Sequence, residues 1–222
     1  MVFAVSNYGR TGLLHAYNLT DGAPLWRQAL AHEANQAVAL GPLAAGAGAS
    51  VVLGIGQNPG VPPVFAWAGQ LPVVQRLVHW LSLRLPRWFS RPLPRAMVAF
   101  EARTGIERWR YEMEPFQEPT CVGDSEHYWR RVAAERKNPD ADTLCLPDSN
   151  SQPVIAGDGT VYMGWEDGKV YAVRDDDGNG VIDKDSELSV YDFGHAFQGS
   201  LGLGPGLLAV APCGGGLWLF KS

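Results

Sequence analysis

Charge of one sign is missing from a long stretch of this chain. From Ala34 to Phe100 there is no aspartate, glutamate or lysine, and the only formal charges are Arg76, Arg84, Arg87, Arg91 and Arg95. That segment carries +5, and because the whole chain carries −5, the remainder carries −10. Such asymmetry marks an insertion with surroundings of its own. A negative total argues against a nucleic-acid binder, which needs a basic face for the phosphate backbone. No uninterrupted apolar run of about 18 residues occurs, so no spanning helix is expected. Met1 leads straight into the strand-like Val2-Phe3-Ala4-Val5, without a basic leader or a cleavage site, so no signal peptide is expected at this end. The chain also has no G-x-S-x-G elbow, no H-E-x-x-H pair and no phosphate loop, which removes the commonest hydrolase, metalloprotease and nucleotide signatures.

Cysteine is scarce, with three in 222 residues. Cys121 and Cys145 flank a polar segment and pair if the compartment is oxidising; two free thiols are the alternative. Cys213 sits in an apolar strand and reads as a small core residue. What is abundant is glycine (26) and proline (16), together with 46% hydrophobic and 18% charged residues. That balance suits many short strands joined by tight turns around a buried core.

Internal repetition is the strongest signal. Leu14-His15-Ala16-Tyr17-Asn18-Leu19-Thr20-Asp21-Gly22-Ala23-Pro24-Leu25-Trp26 aligns without gaps on Met97-Val98-Ala99-Phe100-Glu101-Ala102-Arg103-Thr104-Gly105-Ile106-Glu107-Arg108-Trp109. Each copy reads as a strand, a polar turn ending in glycine, and a strand opening on tryptophan. A third copy runs from Gly157 to Val173, with Gly-Asp-Gly and Glu-Asp-Gly as punctuation. A fourth runs from Gly206 to Phe220.

These residues resemble the repeats of the pyrroloquinoline-quinone-like β-propeller superfamily. It includes quinoprotein alcohol dehydrogenases and non-catalytic outer-membrane assembly lipoproteins. The family's docking pattern is Ala-x-Asp-x-x-Thr-Gly-x-x-x-Trp. Ala99, Thr104, Gly105 and Trp109 match it, with Glu101 for Asp; Ala16, Gly22 and Trp26 match it, with Asn18 and Asp21 as near substitutes. The resemblance covers about residues 1–30, 50–56, 96–115 and 152–222 and implies an all-β fold. The expected architecture is an open arc of about four blades within a single incomplete propeller domain, 1–222. Its open ends would be covered by a protein partner or by further blades.

Two segments interrupt the blades. Residues 57–95 are proline-bounded, and Leu71 to Leu85 has helical periodicity, with Val73, Val74, Leu77, Val78, Trp80, Leu81 and Leu85 on one face. This amphipathic helix is expected to pack back onto the propeller; the alternative is a membrane-surface adaptor using residues 71–89. Residues 114–151 form a polar loop insertion with a short helix at 126–136. His127 near Cys121 and Cys145 does not match a zinc spacing.

Asp175-Asp176-Asp177-Gly178-Asn179-Gly180-Val181-Ile182-Asp183 is the most specific motif. Oxygen side chains stand at positions 1, 3, 5 and 9, Gly180 allows the sharp turn at 6, and the Val181 carbonyl is available at 7. Calcium takes six to eight such hard ligands. Position 12 is Ser186 where an EF-hand has glutamate, and the flanks read as strands. The motif looks like the calcium loop of integrin-type propellers, with Asp175, Asp177, Asn179, Val181 and Asp183 as ligands and Asp185 or Glu187 supplying one further oxygen. Its expected role is structural.

The enzymes of the resembled family hold their quinone against a ring of adjacent cysteines, and no adjacent cysteines occur here. Pyrroloquinoline quinone is therefore not expected as a cofactor. The expected function is a non-catalytic scaffold for protein–protein interaction stabilised by calcium; a fragment of a quinone-dependent dehydrogenase is the alternative. The compartment is not legible, beyond the resemblance pointing outside the cytoplasm.

Overall fold

The computed structural model describes residues 1–58, 73–74, 77, 80–81, 92–118, 121–123 and 149–221. The proposed helices at 71–85 and 126–136, together with Cys145 and His127, therefore lie wholly or largely outside the described residues. Among those described, Val73, Leu77 and Trp80 are exposed. No described helix is long and apolar enough to cross a membrane.

The described residues form four antiparallel sheets that follow one another along the chain. The first blade contains β1 (Val2–Tyr8), β2 (Thr11–Tyr17) and β3 (Pro24–Leu30). The second contains β4 (Ala39–Pro42), β5 (Ala49–Gly56), β6 (Leu93–Glu101) and β7 (Glu107–Phe116). The third contains β8 (Val154–Ile155), β9 (Val161–Gly164), β10 (Lys169–Val173) and β11 (Leu188–Asp192). The fourth contains β12 (Gly202–Gly204), β13 (Leu207–Val210) and β14 (Trp218–Lys221). Each strand pairs with its sequence neighbour, so every blade is a meander. This is the partial all-β propeller that the repeats imply.

Burial explains why these segments are strands. Val52, Met97, Ala99 and Trp109 face the third blade and pack with Val161, Met163, Trp165 and Val173. Val51, Leu53, Val98 and Phe100 alternate with them and face the first blade, packing with Leu14, Leu30 and Trp26. A residue period of two thus gives β5 and β6 two apolar faces, because a propeller blade is covered on both sides. A third cluster, including Val170, Phe197, Leu201 and Val210, joins blades three and four.

The two sequence repeats superpose in register. Ala16 lies directly opposite Trp26, and Ala99 directly opposite Trp109, each with a register shift at the next position toward the turn. Trp26 reaches into the second blade, where its indole Nε1 donates to the Ala102 carbonyl at 3.0 Å. Gly105, at φ +73°, brings its backbone under that ring; a Cβ there would meet Trp26 Cε3 at 2.7 Å. The glycine thus serves both the turn and the neighbour's tryptophan.

Cys213 departs from its expected place. It is exposed and disulfide-bonded, in the connection between β13 and β14, not in a strand core. β13 stops at Val210, and Pro212, which cannot donate to a strand ladder, stands between it and the cysteine. Cys121 is buried, and the expected Cys121–Cys145 pairing involves a residue outside the described ones.

Candidate functional site

Meandering blades sort their connections onto two faces. The β5–β6, β9–β10 and β13–β14 connections share one face with the links between blades. These loops are tied together: Gly56 N–H donates to Glu33 O at 2.8 Å, Val122 N–H to Glu166 O at 3.0 Å, Ala196 N–H to Val122 O at 2.9 Å, and Cys213 N–H to Ala196 O at 2.8 Å. The imidazole of His195 sits against Gly123 and Gly214, where an added Cβ would meet Nδ1 at 2.5 and 2.7 Å. Both insertions leave from this loop face. The opposite face carries the short turns, including those that receive the docking tryptophans.

The acidic motif lies on the short-turn face, between β10 and β11, at the place where the second blade has its Thr104-Gly105 turn. Carboxylate oxygens of Asp175, Asp177 and Glu187 lie within 4.8 Å of one another. Glu187 is buried, and backbone N–H groups hold its carboxylate: Asp176 donates to Oε1 at 2.6 Å and Asp183 to Oε2 at 2.9 Å. Gly180 N–H donates to Asp175 Oδ2 at 3.1 Å, which leaves the buried Asp175 Oδ1 without a hydrogen-bond partner. An orphaned carboxylate oxygen beside two further carboxylates suits a hard divalent cation.

The expected ligands divide. Asp175, Asp177 and Glu187 converge; Glu187, one place beyond the EF-hand position, provides the buried carboxylate. Asn179 turns inward on the loop, donating from Nδ2 to Asp177 Oδ2 at 2.6 Å and accepting the Val181 N–H at 2.7 Å. Asp183 stands apart from the converging group, and its Oδ1 accepts the Asp185 N–H at 2.8 Å. Val181 is exposed, and Asp176 pairs outward with Arg174.

The loop also seats on the second blade. Gly180, at φ +80°, lies so close to Arg108 that a Cβ would meet its carbonyl oxygen at 2.7 Å. Ile182 is buried in the same cluster as Trp109. The acidic hairpin therefore stands to Trp109 as the Gly105 turn stands to Trp26.

A second polar cluster, under the loop face, is absent from the sequence reading. Arg95, at the start of β6, donates to Asp167 Oδ2 at 2.8 Å and to the Glu114 carbonyl at 2.8 Å. Tyr171 Oη donates to the same Asp167 oxygen at 2.7 Å. Glu166 is fully buried, with neither carboxylate oxygen hydrogen-bonded and Arg95 Nη1 no nearer than 3.9 Å. The signals for this cluster in the sequence are Arg95, ahead of the apolar run of β6, and the Glu-Asp pair in a turn.

Desolvation pushes the Glu166 carboxyl well above its ordinary value; Arg95 opposes this, and the Asp167 charge adds to it. A carboxyl raised in the folded state gives stability that is complete below the unfolded value and is lost as pH rises through the folded one. We expect unfolding free energy to fall across that window at up to about 1.4 kcal/mol per pH unit. Glu166→Gln should remove this fall. Chemical unfolding curves over a pH series test it, and parallel profiles for the two proteins would refute the buried proton.

No family model matches the chain, and no curated protein matches it. Solved structures are similar, among them a bacterial one. The crystal structure of BamB from Moraxella catarrhalis matches over 94% of this chain and 55% of that one, with 14% identity and a TM-score of 0.35. The chain thus spans little more than half of that protein's length.

Proposed function

We propose that this chain is a non-catalytic propeller scaffold for protein–protein interaction, braced between its second and third blades by a structural calcium ion. The observation that carries the reading is the division of its two faces. Both insertions leave from the loop face, whose loops interlock through backbone hydrogen bonds, while the other face is spent on short turns that dock one blade on the next. Rigid scaffolds presenting variable loops are how folds of this kind bind partners. Asp175, Asp177 and Glu187 would hold the ion, whose contribution is to neutralise converging carboxylates and fix the hairpin.

Site-specific photo-cross-linking tests the scaffold reading. A cross-linking residue at Ala37 or Gln198, both exposed on the loop face, should capture a partner protein in cells. The same residue at Asp21, on the short-turn face of the first blade, should not capture that protein. Equal capture from both faces would defeat the reading. So would quinone-dependent dye reduction by the purified chain supplied with pyrroloquinoline quinone, calcium and an alcohol.

A further inference from the structure

The repeat that docks blade one on blade two, and blade two on blade three, fails at the next joint. Ala172 on β10 corresponds to Ala16 and Ala99, but the residue directly opposite it is Ser189, where the other blades have Trp26 and Trp109. Ala16 and Ala99 are completely buried by their tryptophans, whereas Ala172 is only partly covered. A cavity of ≈ 680 Å³ opens at this place between blades three and four. Ala172 and Ser189 line it, with Tyr191, Phe193, Leu208 and Phe220 among the surrounding side chains. Its volume falls in the range of sites that enclose a ligand, and its wall is largely apolar and aromatic.

We propose that this vacant tryptophan slot receives an indole side chain of a partner polypeptide, in an extended segment with a second apolar side chain two residues on and an acidic flank. The proposal rests on the scaffold reading and names the partner's chemistry. The aromatic requirement comes from the two filled slots of the same chain, where an indole covers the paired alanine and joins adjacent blades. One indole leaves part of the cavity empty. In an extended segment the side chain two residues on faces the same way, so it reaches the Phe193–Phe220 end, where the two rings lie 6.0 Å apart. The acidic flank follows from charge. The charged residues lining the cavity are Asp158 and Lys221; Asp158 is paired with Arg174 at 3.0 Å, which leaves the lysine ammonium to a carboxylate of the partner.

The test uses the whole chain and a fluorescein-labelled acetyl-Asp-Trp-Ser-Leu-Asp-amide peptide. Anisotropy should show saturable binding that excess N-acetyltryptophanamide reduces. Replacing the peptide's tryptophan with alanine should weaken binding at least tenfold. Ser189→Trp, which fills the slot from within, should weaken it at least tenfold while raising the melting temperature. No saturation up to about 1 mM, or equal binding of the alanine peptide, overturns the proposal. So does unchanged affinity of a folded Ser189→Trp protein, or a loss on that substitution of self-association alone, which would make a second copy the occupant. If the Ser189→Trp chain misfolds, the peptide pair still decides. Failure here leaves loop-face cross-linking intact, whereas failure of the scaffold reading abolishes capture from Ala37 and Gln198.

Discussion

Replacing Trp109 with alanine is expected to cost about 3–5 kcal/mol of stability, the largest loss at any single side chain of the repeat. Trp109 is 3% exposed and packs with residues of β5, β6, β9 and β10 as well as Ile182 of the acidic hairpin. Its removal opens a cavity walled by two blades, neither of which can collapse without breaking a sheet register. Trp26→Ala should cost less, because that ring is only partly buried and its principal polar contact is the single Ala102 carbonyl. Urea unfolding of the two variants measures the difference. A Trp109→Ala loss below about 1 kcal/mol would mean that blades two and three do not share one core.

The docking tryptophans were legible because they sit at a fixed distance from an alanine on the same hairpin, and hairpin register is a local property. The same locality hid the third case. In blade three the acidic loop lengthens the hairpin, so no fixed spacing points to Ser189 as the partner of Ala172; only the strand register does. The Arg95–Asp167 pair joins residues 72 apart, from two blades, and no period in the sequence predicts such a meeting. Cys213 was misread for a different reason. Leu207 to Val210 does form a strand, but it stops ahead of Pro212, which leaves the cysteine exposed in the following connection and in a disulfide. The acidic motif was legible as a set of oxygens. Which oxygens converge depends on turn geometry: those of Asp175, Asp177 and Glu187 lie together, and Glu187 takes the buried position.

Calcium in the millimolar range is expected to stabilise the chain by about 2.7 kcal/mol at a hundredfold excess over Kd, provided the ion binds the folded state alone. Sites of this charge and openness bind with Kd of about 10⁻⁴–10⁻³ M, so the excess is reached only toward the upper end of practical concentrations. Asp177→Ala removes one of the three converging carboxylates and should abolish the stabilisation. Asp176→Ala should leave most of it, since that side chain pairs outward with Arg174. Magnesium should substitute poorly, because its octahedral shell is stricter than a loop with three carboxylates and exposed flanks provides. The contact of Ile182 with Trp109 gives the prediction a second edge. An ion that fixes the hairpin also fixes the seat of that tryptophan, so calcium should stabilise the Trp109→Ala protein less than the parent. A thermodynamic cycle over ion and indole measures the coupling, which for groups in one contact network is typically about 0.5–3 kcal/mol. Additive effects would confine the ion's influence to the hairpin, and calorimetry showing no uptake at millimolar calcium would reduce the loop to an acidic turn.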